Sequence, residues 1–168
     1  MPPVGLESGS DATPSTDKEP IREPMSLHPD FPIIEGTYQM TKNWSVTLDT
    51  QYNRRIEGGQ LVIWKPGFTV WTSVWNNDKS ESQEERLQWI QGNSSADAFD
   101  RIIESADGVS RYAYRLKEDS EDDREPAFYC FAIGDEGHVQ MAIYFDSEAD
   151  LADAQAIWRS LSENAGGG

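Results

Sequence analysis

The sequence predicts an α+β fold: a six- to seven-stranded twisted antiparallel sheet with helices packed on it, in the order βββα-βββα. Three observations predict it. Trp44, Val46 and Leu48 alternate with Ser45 and Thr47, which is the period of a half-buried strand. Several β-prone runs are joined by short glycine-bearing turns, the pattern of antiparallel hairpins. Two later segments, 99–106 and 151–161, repeat apolar residues at helical spacing. In a chain of 168 residues, such strands and helices bury their apolar faces on one another in one domain.

Taken in order, residues 1–35 read as a disordered, acidic, proline-rich tail. Seven of the nine prolines fall there, among Ser, Thr, Asp and Glu, with too little apolar surface to offset the entropy of ordering. Its more apolar end, 27–34, is placed to lie against the domain, which is assigned to 36–162; residues 163–168 read as a frayed end. After the strand at Trp44, the runs 52–57 and 60–64 flank Gly58-Gly59, a pair that tolerates the positive φ of a tight hairpin. Lys65-Pro66-Gly67-Phe68 forms the next turn, and a further strand covers 69–75. The polar stretch 76–95 has room for a short helix carrying Leu87 and Ile90. A second helix is expected after Ser94, with Asp97 three residues on as its capping partner; Phe99, Ile102, Ile103 and Ala106 give its apolar face, and Gly108 stops it.

The second half repeats the plan. A strand spans 109–116, an acidic loop 117–125, and a hairpin joins 127–133 to 138–145 around Gly134-Asp135-Glu136-Gly137. The last helix begins at Ser147, with Leu151, Ala154, Ile157, Trp158 and Leu161 on its apolar face. The segments 95–99 and 148–151 are alike, a likeness that either duplication or shared capping chemistry produces.

Charge and composition narrow the function. The net charge of −16 repels nucleic-acid phosphates and anionic lipid, and it reads either as simple solubility or as attraction to a basic protein partner. The single Cys130 forms no intrachain disulfide and reads as a buried small hydrophobe. No run approaches the ~20 apolar residues of a membrane span, and the N-terminus lacks the basic and apolar regions of a secretory signal, so a cytoplasmic protein is expected. Only two histidines are present, without zinc-ligand spacing, and no glycine-rich phosphate loop or nucleophile elbow occurs. The acidic runs 78–85 and 118–125 lack the ligand spacing and central glycine of a calcium loop. No cofactor, metal or catalytic residue is expected.

The meander supplies the candidate binding residues. With Glu57 opposite Gln60 and a four-residue turn at 65–68, Trp64 faces Thr69 and Val62 faces Trp71. Alternation then puts Arg55, Val62, Trp64, Trp71 and Trp75 on one face, and Ile56, Leu61, Ile63, Val70 and Val74 on the other. The aliphatic face suits the helices. The tryptophan face is either a second buried layer or a platform on which Arg55 stacks by cation–π contact. Arg54-Arg55 is the one dibasic pair in this acidic chain, either flanking a sheet edge and pairing with carboxylates or recognising an anion.

The strand–helix order, the strand start at Trp44 and the closing run from Met141-Ala142-Ile143-Tyr144-Phe145 through Ser160 resemble the small Mog1/PsbP-like domains over about residues 36–162. That family includes bacterial proteins, some linked to secretion systems. The resemblance is one of layout and carries no functional residues; it implies a binding or accessory role without catalysis. Three functions follow as expectations. The first is a protein-interaction module of the adaptor, chaperone-like or immunity type. A carrier with an aromatic pocket between sheet and helix is the second, and an enzyme built from carboxylates the third.

Overall fold

The computed structural model describes residues 27–117 and 125–164; the tail 1–26, most of the acidic loop and the end 165–168 lie outside them. Among the described residues the strands are β1 (Ile33–Gln39), β2 (Trp44–Glu57), β3 (Gln60–Lys65), β4 (Phe68–Asn76), β5 (Phe99–Ala106), β6 (Val109–Leu116), β7 (Ala127–Ile133), β8 (Gly137–Phe145) and the short β9 (Ser162–Glu163). Helix α1 (Gln83–Gly92) follows β4, and α2 (Leu151–Ser160) follows β8 through a 3₁₀ turn at Glu148–Asp150. The chain is α+β and mostly antiparallel sheet. Among the described residues no helix is long and apolar enough to cross a membrane.

Eight strands lie in the order β1-β2-β3-β4-β8-β7-β6-β5, with β9 paired to the start of β2. Each half is thus a four-stranded meander, and the two meet where β4 pairs β8 along its whole length, from Phe68↔Phe145 to Asn76↔Gly137. The turns are those their residues dictate. Gly58 and Gly59 have φ of 59° and 83°, as do Asp107 and Gly108 at 55° and 79°, so both hairpins have the doubly positive φ of a type I′ turn. The observed registers Arg55↔Val62, Val62↔Trp71 and Trp64↔Thr69 are those the parity argument gives.

Alternate residues of the strands feed two separate layers. On one face, Leu61, Ile63, Val70, Phe128, Cys130, Val139, Met141 and Ile143 pack with Ala154, Ile157, Trp158 and Leu161 of α2. The sheet curls so that the start of β2 reaches α2 as well, where Ser160 Oγ accepts from Thr47 N–H at 2.9 Å. The Trp158 indole donates to the Phe131 carbonyl at 2.9 Å. Arginines fasten this helix to the β5/β6 end: buried Arg111 donates to Leu161 O, buried Arg115 forks onto Glu148, and Arg159 forks onto Glu104. On the other face α1 packs Ile90 against Tyr112, Tyr114, Phe131 and Ile133.

Two expectations need correction. The segment 99–106 is strand β5, not a helix. Its register slips between Phe99, opposite Arg115, and Ile102, opposite Ala113, so three residues on β5 span two on β6. The bulge, with Asp100 at φ 53°, puts apolar residues three apart on one side and mimics helical spacing. The first helix lies earlier, where Ser82 and Glu85 make a reciprocal capping box, Ser82 Oγ accepting from Glu85 N–H and Glu85 Oε1 from Ser82 N–H. The plan is therefore four strands and a helix, twice, in place of three. The added strands are β5 in the second half and, in the first, β1, which begins at Ile33, inside the stretch assigned to the tail.

Residues just before β1 are fastened too. Asn53, fully buried, accepts from His28 N–H at 2.6 Å and donates to the carbonyls of His28 and Phe31 at 3.0 and 3.1 Å. Asn53→Ala would leave these buried groups unpaired and is expected to lower unfolding stability by about 2–3 kcal/mol in a denaturant titration. Ile56→Ala, at an exposed hairpin position, should change it by less than about 0.5 kcal/mol.

Candidate functional site

The described residues cover only part of the sheet face opposite α2. Helix α1 occupies the β6/β7 end, while at the far corner Phe31 packs edge-on against Trp64, centroids 5.1 Å apart. Between these covers lie Thr69, Trp71 and Ser73 of β4, Gln140, Ala142 and Tyr144 of β8, and Tyr129 of β7, all half-buried and all placed on this side by their pairing. In a chain that is 26% charged, β4, β7 and β8 contain no Asp, Glu, Lys or Arg. Burial on both sides would explain that for a central strand. Here the described residues cover one side only in part, and the uncharged residues on it are half-buried.

The four residues picked out from sequence share this face but separate into two clusters. Arg55 lies with its guanidinium 4.6 Å from the Trp64 ring centroid and 5.9 Å from that of Trp71, and its charge is paired with Glu57 at 2.7 Å. The stacking that the sequence suggested is therefore present, and so is the carboxylate pairing. Trp64 is only 9% exposed beneath Phe31 and Arg55, so it is a floor residue and not a docking residue. Trp75, four residues and roughly 13 Å along β4 from Trp71, belongs to a different place.

Trp75 is 52% exposed and forms one wall of a groove of about 480 Å³ between α1, the connection 76–82 and the sheet. Trp89 on α1, 64% exposed, also lines it; Tyr114, Phe131, His138 and Gln140 of the sheet contribute to the lining. Sequence reasoning missed Trp89, Arg86 and His138. The signal for the first two was the Ser82-x-x-Glu85 box, which starts a helix at this point and sets which of its residues face the sheet.

One buried polar group shapes the groove. Arg86 donates from Nη1 to His138 Nδ1 at 2.8 Å, from Nη2 to Asn77 Oδ1 at 2.9 Å, and pairs with Glu81 at 3.3 Å. Asn77 in turn accepts from Glu81 N–H and donates to the carbonyls of Glu81 and Asp135. The guanidinium thus ties α1, the 76–82 connection and the start of β8 into one unit. Because Arg86 can only donate, His138 Nδ1 accepts and the ring proton sits on Nε2. The imidazole lies stacked with Trp75 at 6.1 Å, 15° between planes. Burial and the neighbouring Arg86 charge push its pKa down from 6.5 to about 4. Elsewhere on this side Arg101 donates to Tyr112 Oη at 2.6 Å, which closes the far end of α1. The described residues bring together no group of three His, Cys, Asp or Glu side chains able to hold a metal.

The His138 shift has a stability consequence. Unfolded chains take up a proton near pH 6.5 that the folded protein refuses until about pH 4. The stabilising effect of the neutral ring is complete above 6.5 and is lost as pH falls towards 4, by about 3 kcal/mol in total. His138→Asn places a non-titrating acceptor near the Nδ1 position. Chemical denaturation between pH 7 and 4 is expected to show a shallower loss of stability in this variant than in the unsubstituted protein; identical slopes would contradict the assignment.

The chain matches no protein-family model, and no curated protein matches it.

Proposed function

We propose that this chain is a non-enzymatic protein-interaction module, of the adaptor, chaperone-like or immunity type, that docks a partner on the open half of the sheet and the groove beside it. The observation that carries the reading is the uncharged surface of β4, β7 and β8 in a chain of net charge −16. Protein interfaces are depleted of charge at their centre and enriched in Trp and Tyr. Trp71, Trp75, Tyr129 and Tyr144, with no charged residue among their neighbours on β4, β7 and β8, have that composition. The layout resemblance to Mog1/PsbP-like domains, which include bacterial proteins, implies the same class of binding or accessory role.

A carrier function is the second reading, favoured by the groove volume, which falls in the range of small-ligand pockets. Ligand carriers enclose most of their cargo, however, and two of the groove-lining tryptophans here stand more than half in solvent. That exposure favours a docking anchor over an enclosed ligand.

A photo-crosslinking residue separates these possibilities. Placed at Gln140 on the floor, in cells of the native host, it is expected to give one discrete protein adduct, which Trp75→Ala removes. Placed at Ala156, exposed on the opposite side on α2, it should give none. An adduct from position 156 with none from 140 would overturn the choice of face.

A further inference from the structure

Several polar side chains that line the groove are engaged in the fold. Arg86 and Glu81 pair with each other, Asn93 Nδ2 donates to the Trp89 carbonyl, and Ser94 Oγ donates to that of Gln91. Three others, His138, Gln140 and Tyr114, keep hydrogen-bonding capacity in reserve. His138 is 5% exposed, and its ring makes one hydrogen bond, through Nδ1 to Arg86. Its Nε2–H has no acceptor among the described residues. Tyr114 is 6% exposed and stacks on Tyr129 with centroids 5.5 Å apart. Neither its hydroxyl nor the half-buried Gln140 amide has a hydrogen-bond partner among the described residues.

The sheet brings these groups together. His138 and Gln140 alternate onto the same side of β8, two residues and roughly 7 Å apart. Gln140 pairs with Phe131, whose ring meets those of Tyr114 and His138. Buried polar groups are hydrogen-bonded as a rule, so a buried donor without an acceptor calls for an explanation. The state of this donor is fixed: Arg86 occupies Nδ1, and burial with the Arg86 charge pushes the His138 pKa down to about 4. At neutral pH the ring therefore offers the groove an N–H and no charge.

The charged residues in the lining balance. Lys79 stands beside Asp78, and Arg86 is paired with Glu81, so neither an anion nor a cation is favoured there. The exposed rings of Trp75 and Trp89 favour an aromatic group. Of the three large aromatic side chains, phenylalanine brings no polar atom and tryptophan brings only a donor. A tyrosine hydroxyl both accepts and donates, so it accepts from His138 Nε2–H and gives its own proton to Gln140 or Tyr114. Segments 1–26, 118–124 and 165–168, outside the described residues, contain no aromatic residue and so supply no such group.

We propose that the groove binds an uncharged phenol group, presented as a tyrosine side chain by the docked partner, with its ring against Trp75 and Trp89 and its hydroxyl on His138 and Gln140. This rests on the interaction-module reading and names the partner's anchor. Buried aromatic anchors dominate the energetics of such interfaces, and walls left in solvent admit a residue that enters from a partner's surface. The hydrogen bonds on the floor set which aromatic residue is admitted, because an anchor lacking the hydroxyl leaves them unmade.

The test uses the full chain, the capped tripeptides Gly-Tyr-Gly, Gly-Phe-Gly and Gly-Trp-Gly, and p-cresol as the free phenol. Binding is followed by the indole N–H resonances and by the nitrogen shifts of the His138 ring. The tyrosine peptide is expected to bind saturably and to shift the Trp75, Trp89 and His138 signals. It should bind at least about tenfold tighter than the phenylalanine and tryptophan peptides. His138→Asn keeps an acceptor for Arg86 and removes the Nε2 donor, so it should erase the tyrosine preference and leave the phenylalanine binding. Gln140→Met, of similar length, should reduce that preference. Trp89→Ala, at an exposed position, should weaken every peptide. Equal binding of the tyrosine and phenylalanine peptides, or a tyrosine preference that survives both His138→Asn and Gln140→Met, would overturn the phenol while keeping the groove. Binding of p-cresol as tight as that of the tyrosine peptide would overturn the partner as its source, in favour of a free phenolic ligand. Binding that ignores Trp75→Ala and Trp89→Ala, or no saturable binding of any probe, would overturn the proposed occupancy of the groove. The crosslink from position 140 then decides separately whether the face itself docks a partner.

Discussion

Everything on this molecule depends on the pairing of β4 with β8. These strands come from different halves of the chain, and their register runs unbroken from Phe68↔Phe145 to Asn76↔Gly137. Alternation along that ladder sends Val70, Val139, Met141 and Ile143 to α2 and leaves Trp71, Ser73, Gln140 and Ala142 on the other side. A slip of one residue would exchange the two sets, exposing the aliphatic core and burying the amides. The register is pinned at its end by Gly137, whose φ of 143° and close approach to the Trp75 carbonyl leave no room for a Cβ. The same pairing sets His138 opposite Trp75, so the ladder that closes the core also builds the wall of the groove.

The two helices use the sheet differently. Helix α2 is wrapped by the curled sheet and clamped by Arg111, Arg115 and Arg159, and its apolar face is fully consumed. The burial of Arg115 at 4% exposure is offset by its fork on Glu148, whose carboxyl is held below its usual range by that arginine. Helix α1 is anchored at fewer points, by Ile90 inside and by Arg86 at its start, and leaves Trp89 in solvent. A helix held in that way closes one side of a groove without filling it. Cys130, at no measurable exposure, belongs to the α2 layer, where burial pushes its thiol pKa well up.

Much of this was legible in the sequence where turn chemistry fixes parity. Gly58-Gly59 and Pro66-Gly67 each permit one tight connection, so the faces of Arg55, Trp64, Trp71 and Trp75 could be assigned before any coordinates. Legibility failed where one local signal imitates another. The bulge at Asp100 turned a period of two into a spacing of three, and Asp107-Gly108, a hairpin turn, resembled a helix stop. Strand β1 was hidden by the prolines before it, because its order depends on Asn53 some twenty residues away. The groove was invisible for a related reason. It arises from α1, β4, β7 and β8 meeting through Arg86, and no spacing along the chain records a contact between residues 86 and 138.

The central claim is that one side of the sheet is sealed and the other is open around two tryptophans. Fluorine spectra of the full chain labelled with 5-fluorotryptophan, assigned by single Trp→Phe variants, test it through the shift between light and heavy water. Trp75 and Trp89 should show large solvent shifts, Trp71 an intermediate one, and Trp64, Trp44 and Trp158 almost none. Shielding of Trp75 and Trp89 to the level of Trp158, or a solvent response from Trp44 or Trp158, would contradict the division of the sheet into a closed core and an open binding face.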